Sequence, residues 1–209
     1  MKRIRLVNLI LIIVVIVGII FGIRKFTGKE ENIQNLGKIY EELNASQTYL
    51  FEMEQSDDNK TIMAKKGDKT IIDQYAEGSH TTTIVKDNNT YLVLHDREEY
   101  YVYEQNNVEQ SILTDGIEEV VGKEFITGTE KINGKKYNYE EYNGSTMFMS
   151  SSTVGVNEED IKTRFYYDNN GDLAYIRTII GANQELLKIK LEKEVDDSIF
   201  EIPSNYAEH

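Results

Sequence analysis

Three histidines, His80, His95 and His209, are the only imidazoles in a chain of 209 residues that contains no cysteine. They are therefore the first candidates for metal ligation or proton transfer. Each is isolated in sequence. None has the i, i+4 partner of a helical zinc-protease site, and structural zinc sites built on cysteine are excluded by composition. The spacing thus predicts ordinary strand residues, with no metal site and no catalytic role. In "DNNGD", Asp168, Asn170 and Asp172 match the first three ligand positions of a calcium loop. The glycine required at the sixth position is Leu173 and the bidentate glutamate at the twelfth is Ile179, so a hairpin turn accounts for the stretch better. Ser150, Ser151 and Ser152 lack a nucleophile-elbow context and read as loop. With 36 acidic residues in the chain, no single carboxylate pair points to glycosidase chemistry. Triplets of the Asn-x-Ser/Thr type begin at Asn44, Asn59, Asn88 and Asn143, but they accept glycans only in a eukaryotic secretory setting. The Ile, Lys, Asn and Glu bias looks instead like that of a low-GC bacterium.

The remaining chemistry is aromatic. The chain has 14 Tyr and 7 Phe, gathered in "YLFEM", "TYLVLH", "EYYVYE", "KYNYEEY" and "RFYYD". Such residues suit pleated, half-buried surfaces for structural reasons alone. They also suit a concave apolar face rimmed by hydroxyls that accepts an acyl chain. For that second use, alternation nominates Tyr49, Phe51, Met53, Tyr91, Val93, Tyr101 and Tyr103 as the ligand-lining set. No cofactor is implied.

Elements must place these side chains. Thr27 and Glu30 have capping-box spacing, and Ile33, Leu36, Tyr40 and Leu43 recur at helical intervals, predicting a helix over 28–45. From Thr48 the period becomes alternating. Strands are expected near 48–55, 60–66, 70–77, 79–86, 90–95, 99–104, 124–131, 136–142, 145–150, 162–168, 173–180 and 185–193, separated by Asn/Gly/Asp turns that tolerate positive φ. Val108, Ile112, Ile117, Val120 and Val121 predict a short helix or pair of turns between two groups of hairpins. Residues 150–160 read as a loop.

Residues 6–23, "LVNLILIIVVIVGIIFGI", carry no charge, and as a helix would extend roughly 27 Å against a hydrocarbon core of about 30 Å. The first alanine is Ala45, so no small-residue cleavage site follows the apolar run, and a lipoprotein cleavage box needs a cysteine. An uncleaved signal-anchor is the expectation, with residues 1–27 as the anchor region and 28–209 as one domain. Three basic residues precede the run and three follow it, so charge does not orient it. The five-residue tail leaves nothing to translocate, which favours a cytoplasmic N-terminus and an extracytoplasmic domain. Beyond residue 23 the chain has 20 basic against 36 acidic groups, a balance that excludes nucleic acid as a partner.

The order of parts is a helix, then "YLFEMEQS…NKTIMAKKGDKTIIDQY…NNTYLVLHDREEYYVY", then "FYYDNNGDLAYIRT" and the closing "VDDSIFEIPSNY". It resembles the LolA-like superfamily of bacterial extracytoplasmic proteins, over approximately residues 28–206. The resemblance implies a mainly β (α+β) domain: a curved antiparallel half-barrel wrapped around short helices, here preceded by one transmembrane helix. It also implies an apolar cavity between sheet and helices, and Phe200 and Ile202 packing while Pro203, the only proline, ends the β-structure at an edge. Two functions follow. One is a membrane-tethered module binding an acyl chain, lipid or lipoprotein. The other is an envelope sensor or structural domain that contacts a protein partner without lipid. Carriage between membranes does not suit a tethered chain.

Overall fold

The structure, a computed structural model, describes residues 34–104, 117–118, 120–144 and 160–209. The expected span at 6–23, the capping box at Thr27 and Glu30, the strand at 145–150 and nearly all of the 150–160 loop lie outside them. Among the described residues no helix is long and apolar enough to cross a membrane.

One helix, α1 (Asn35–Ala45), precedes twelve strands. These are β1 (Thr48–Ser56), β2 (Asn59–Lys66), β3 (Lys69–Ala76), β4 (Ser79–Lys86), β5 (Asn89–Leu94), β6 (Glu99–Glu104), β7 (Phe125–Ile132), β8 (Lys135–Asn143), β9 (Ile161–Tyr167), β10 (Leu173–Ile180), β11 (Asn183–Glu192) and β12 (Ala207–Glu208). They form one sheet in the order β12-β6-β5-β4-β3-β2-β1-β11-β10-β9-β8-β7. Two meanders, β1–β6 and β7–β11, are thus joined where β1 pairs with β11. All pairs are antiparallel except β12 with β6. The alternation in sequence anticipates this closely, because each hairpin is short and its turn residues take the backbone the turn needs. Asp87 and Asn88 both have positive φ, as do Asn133 and Gly134, the requirement of two-residue turns that match strand twist.

One expectation needs correction. The sheet is open, with β7 and the β6/β12 side as separate edges, and it is covered by one helix among the described residues, not wrapped around several. Between the meanders the described residues match the expected short helix or pair of turns: Ile117 and Glu118 are helical and Val120 and Val121 form a turn, with Val120 N and Val121 N donating to Ile117 O at 3.1 and 3.0 Å and Lys123 N to Val120 O at 3.1 Å, while Val108 and Ile112 lie outside the described residues. The β-branched residues still reach the core, with Ile117 and Val120 fully buried.

The pairing register sorts side chains onto two faces. Tyr49, Phe51 and Met53 of β1 share a face with Met63, Ile72, Ile189 and Leu191, and α1 packs there through Leu36 and Leu43. The expected helical stripe is confirmed at Leu36, Tyr40 and Leu43. Phe165, Tyr142, Tyr167 and Ile176 extend this core across the second meander. The helix lacks a side-chain cap of its own at Gln34. Its first amides are met from β8: Asn35 N donates to Glu140 Oε1 at 2.7 Å and Leu36 N to Glu140 Oε2 at 3.3 Å. Tyr142 and Tyr167 hydroxyls also donate to Glu140, at 3.0 and 3.1 Å. A buried carboxylate is tolerable here because four donors and the positive end of a helix surround it. Burial pushes the Tyr142 and Tyr167 hydroxyls well above their ordinary range, and the neighbouring Glu140 adds to that.

The opposite face carries two different surfaces. On β7–β10, Glu130 receives Arg177, Arg164 at 2.9 Å and the Tyr166 hydroxyl at 2.8 Å. Burial and the Glu130 bond push Tyr166 up to about 12. On β1–β5, the chain after β11 lies across the sheet as a strap, and the candidate site is beneath it.

Candidate functional site

On β1 the even-numbered residues face away from the helix. Leu50 aligns with Ala64, Ile71, Ile84 and Tyr91 in successive strands, and the next row reads Glu52, Ile62, Asp73, Thr82, Val93 and Tyr100. The strap crosses both rows. Val195 is buried, and Asp196 accepts from Ser198 N at 2.8 Å to start a short 3-10 turn over Asp197–Phe200. Three lysines on this face of β2, β3 and β4 fix the strap. Lys66 Nζ donates to Val195 O at 3.1 Å and Asp197 Oδ2 at 2.6 Å, Lys69 Nζ reaches Asp197 Oδ1 at 3.4 Å, and Lys86 Nζ donates to Phe200 O at 2.8 Å. The Lys66 bond first and Lys69 second hold the exposed Asp197 carboxyl below its ordinary range. Phe200 is fully buried against Ile71, Ile84 and Val93.

Pro203 therefore does something other than end the sheet. Its carbonyl accepts from Tyr206 N at 3.1 Å, a turn that sends the chain onward so that Ala207 N reaches Glu98 O at 2.9 Å and β12 pairs with β6. Lacking an amide hydrogen, it loses nothing by lying across a face where no ladder runs.

Between strap and sheet is a cavity of about 240 Å³. Its floor is Leu50, Ile62, Ile71, Ile84 and Val93, and Ile199, Glu201 and Pro203 of the strap roof it. One end is polar, formed by Asp73, Thr82 and His95. The Thr82 hydroxyl donates to Asp73 Oδ1 and so has no second proton to give. The 2.7 Å contact between Thr82 Oγ1 and His95 Nε2 is then Nε2–H donating, which leaves His95 Nδ1 to accept from the Tyr206 hydroxyl at 3.0 Å. Burial lowers the His95 pKa, and the adjacent His80 lowers it further. His80 Nε2 lies 2.8 Å from Asp73 Oδ1. Its ring stacks on His95 at 3.6 Å between centroids and within 5° of parallel, and on Tyr75 at 3.9 Å. The ligand-type atoms of Asp73, His80 and His95 all lie within 4.8 Å of one another.

The sequence-chosen aromatic set does not form one surface. Tyr49, Phe51 and Met53 belong to the core beneath α1, with Phe51 only 1% exposed. By register Tyr101 and Tyr103 share that face near the β6 edge, and Tyr103 is exposed. Only Val93 lines the cavity, and Tyr91 packs beside it against the strap cluster. Sequence reasoning chose the more aromatic parity of β1. The opposite parity, Leu50 with "TIMA", "TIID" and "TTTIV", carried the cavity. His80 and His95, separate in sequence, meet because β4 and β5 are adjacent strands. No local spacing signals that. Only the hairpin register does, since Thr81 pairs with Leu94 and so places 80 opposite 95.

No known family model matches the chain, and no curated protein matches it. Among solved structures, it is similar to an uncharacterized conserved protein from Thermus thermophilus, at 8% identity and a TM-score of 0.44, covering 82% of this chain and 97% of that one. It is also similar to the lipoprotein LppX of Mycobacterium tuberculosis, at 13% identity and a TM-score of 0.41, covering 78% of this chain and 97% of that one.

Proposed function

We propose that this protein is a membrane-tethered, extracytoplasmic module that holds an apolar group in the cavity between its sheet and its C-terminal strap. The observation that carries the reading is the cavity itself: about 240 Å³ with an aliphatic floor and a roof in which Ile199 and Pro203 flank the single carboxylate of Glu201. A cavity of about 150 Å³ with similar walls takes up benzene, and sites for drug-sized ligands begin at about 300 Å³. A ring or a single short acyl segment fits; a whole lipid does not. Tethering rests on the uncharged 6–23 run with basic flanks, and the domain's position outside is part of the proposal.

Native mass spectrometry of the full chain purified from cells tests the binding. A discrete apolar passenger is expected on wild type and not on Ile62→Trp, whose indole fills the cavity floor, whereas loosely associated membrane lipid should be the same on both. Absence of any passenger that Ile62→Trp displaces would leave the strap as packing alone and favour a domain that contacts a protein partner. Protease added to intact protoplasts should remove the domain; its survival until the membrane is permeabilised would reverse the orientation.

A further inference from the structure

We infer that Asp73, His80 and His95 form a binding site for a divalent transition-metal ion of the Zn²⁺ class, located at the polar end of the cavity. Three observations point to an ion and not merely to a hydrogen-bond network. The donor set is two imidazoles and one carboxylate, the ligand types Zn²⁺ takes, with room for an exogenous fourth ligand. The donor atoms already converge, all within 4.8 Å of one another: the β3–β4 register places Asp73 and His80, and His95 opens the 3-10 turn His95–Arg97 that directly follows β5. An outer shell is also in place: Thr82 donates to Asp73, and the Tyr206 hydroxyl lies 3.0 Å from the far nitrogen of His95.

That outer shell sets the proton balance. In the hydrogen-bonded state His95 carries its proton on Nε2, facing Thr82. An ion bound at Nε2 moves that proton to Nδ1, where it donates to the Tyr206 oxygen, the usual arrangement in which a ligating histidine is oriented through its other nitrogen. The ion takes the place of the His80 hydrogen bond to Asp73, and His80 ligates through Nε2. Because an ion must lie near the plane of each ring, the two imidazoles open from their parallel stack. His80 and Asp73 are one quarter and one sixth exposed, so an ion has access. Tyr206 belongs to the strap, so metal occupancy tightens the strap's far end, and this holds whether or not the cavity carries an apolar passenger.

The test is titration of the full chain, reconstituted in nanodiscs, with Zn²⁺ in competition with a chromophoric chelator at pH 7.5. One equivalent should bind. Affinity should fall by about 10- to 100-fold in Tyr206→Phe, as for loss of an orienting partner, and further in His80→Ala, His95→Ala and Asp73→Asn. His209→Ala should be silent, although His209 lies 3.5 Å from Glu99. On wild type, which raises no question of misfolding, Zn²⁺ should shift the imidazole resonances of His80 and His95 but not His209, and Co²⁺ should give a tetrahedral visible spectrum. Binding that survives in His80→Ala/His95→Ala, shifts confined to His209, or no stoichiometric binding at all would each overturn the site.

Discussion

The two faces of β1 are covered by different kinds of chain, and they end up doing different things. On one face a regular helix presents Leu36 and Leu43 at helical spacing to a core that includes Phe51, Phe165 and Tyr142, and these side chains form one buried cluster. On the other, an irregular strap is held at its ends, by three lysines near Asp197 and Phe200 and by Tyr206 at His95. Phe200 fills one part of the interval, and the span from Ile199 to Pro203 leaves a void. A helix meets a sheet along a continuous stripe, so its side chains interdigitate at close-packed density. A strap anchored at intervals contacts the sheet at its anchors and bridges between them. The filled face is expected to carry stability and the bridged face to carry binding.

The largest test of that division is Phe51→Ala. Its ring lies in the filled core at 1% exposure, so truncation should cost about 3–5 kcal/mol, read as a lower denaturation midpoint at unchanged m-value. A cost near 1 kcal/mol would show the helix face to be loose as well. Next is Glu140→Ala, which leaves two helix amides and two tyrosine hydroxyls without their acceptor. Unsatisfied buried groups cost about 1–3 kcal/mol each, tempered by relaxation and water, so a loss of about 3 kcal/mol is expected. Amide exchange should accelerate first at Asn35 and Leu36. A uniform increase across β1–β6 instead would mean that the carboxylate holds the sheet and not the helix.

A smaller pair compares the faces directly. Ile176 is fully buried on the helix face and Ile84 is 1% exposed at the cavity floor. Ile→Val removes one methyl and ordinarily costs about 0.5–1.5 kcal/mol. Ile176→Val should fall at the upper end, since its neighbours close around it, and Ile84→Val at the lower, since part of its surroundings is already void. Equal costs would erase the distinction between filled and bridged faces.

Much of the architecture was readable because it is local. Period-two alternation and Asn/Gly/Asp turns locate a hairpin without knowledge of anything distant, and they placed β1 through β11 within a few residues. Parity was harder. On β1 both parities are apolar at their start, Tyr49 and Phe51 on one side and Leu50 on the other, and aromatic content pointed to the wrong one for the cavity. What covers each face is a long-range matter: α1 and the strap reach β1 from opposite ends of the described chain. The phrase "VDDSIFEIP" announced packing at Phe200 and Ile202, yet not that the lysines at the ends of β2 and β4 and the start of β3 would hold it. Asp73 illustrates the same limit. Within "KTIIDQYA" no neighbour in sequence gives it a partner, and its meaning comes only from the two histidines of β4 and of the turn after β5.

The smallest expected effect separates the two faces by pH. His95 has its pKa lowered by burial and by His80, against the opposing pull of Asp73 and Asp96, and Tyr206 faces it from the strap. A histidine whose folded-state value is depressed takes up a proton more readily when unfolded, so stability rises with pH wherever that difference operates. The contribution is complete above the ordinary value of 6.5 and is lost as pH falls through it and on through the lower folded value. Carboxylates with depressed values, such as Glu130, held down by Arg177 and Tyr166 against the effect of burial, act only below about 4.5. Between pH 7.5 and 5.5 the loss that His95 contributes therefore falls on the strap face. Because the imidazole is partly exposed, solvent screening keeps it modest. Local opening should be its form: amide exchange at Tyr206 and Ala207 should quicken on acidification while Phe51 and Phe165 stay protected, and His95→Gln should flatten the response. If acid loosens both faces together, or if His95→Gln keeps the same pH dependence, strap and helix are parts of one cooperative unit and the bridged face has no separate freedom.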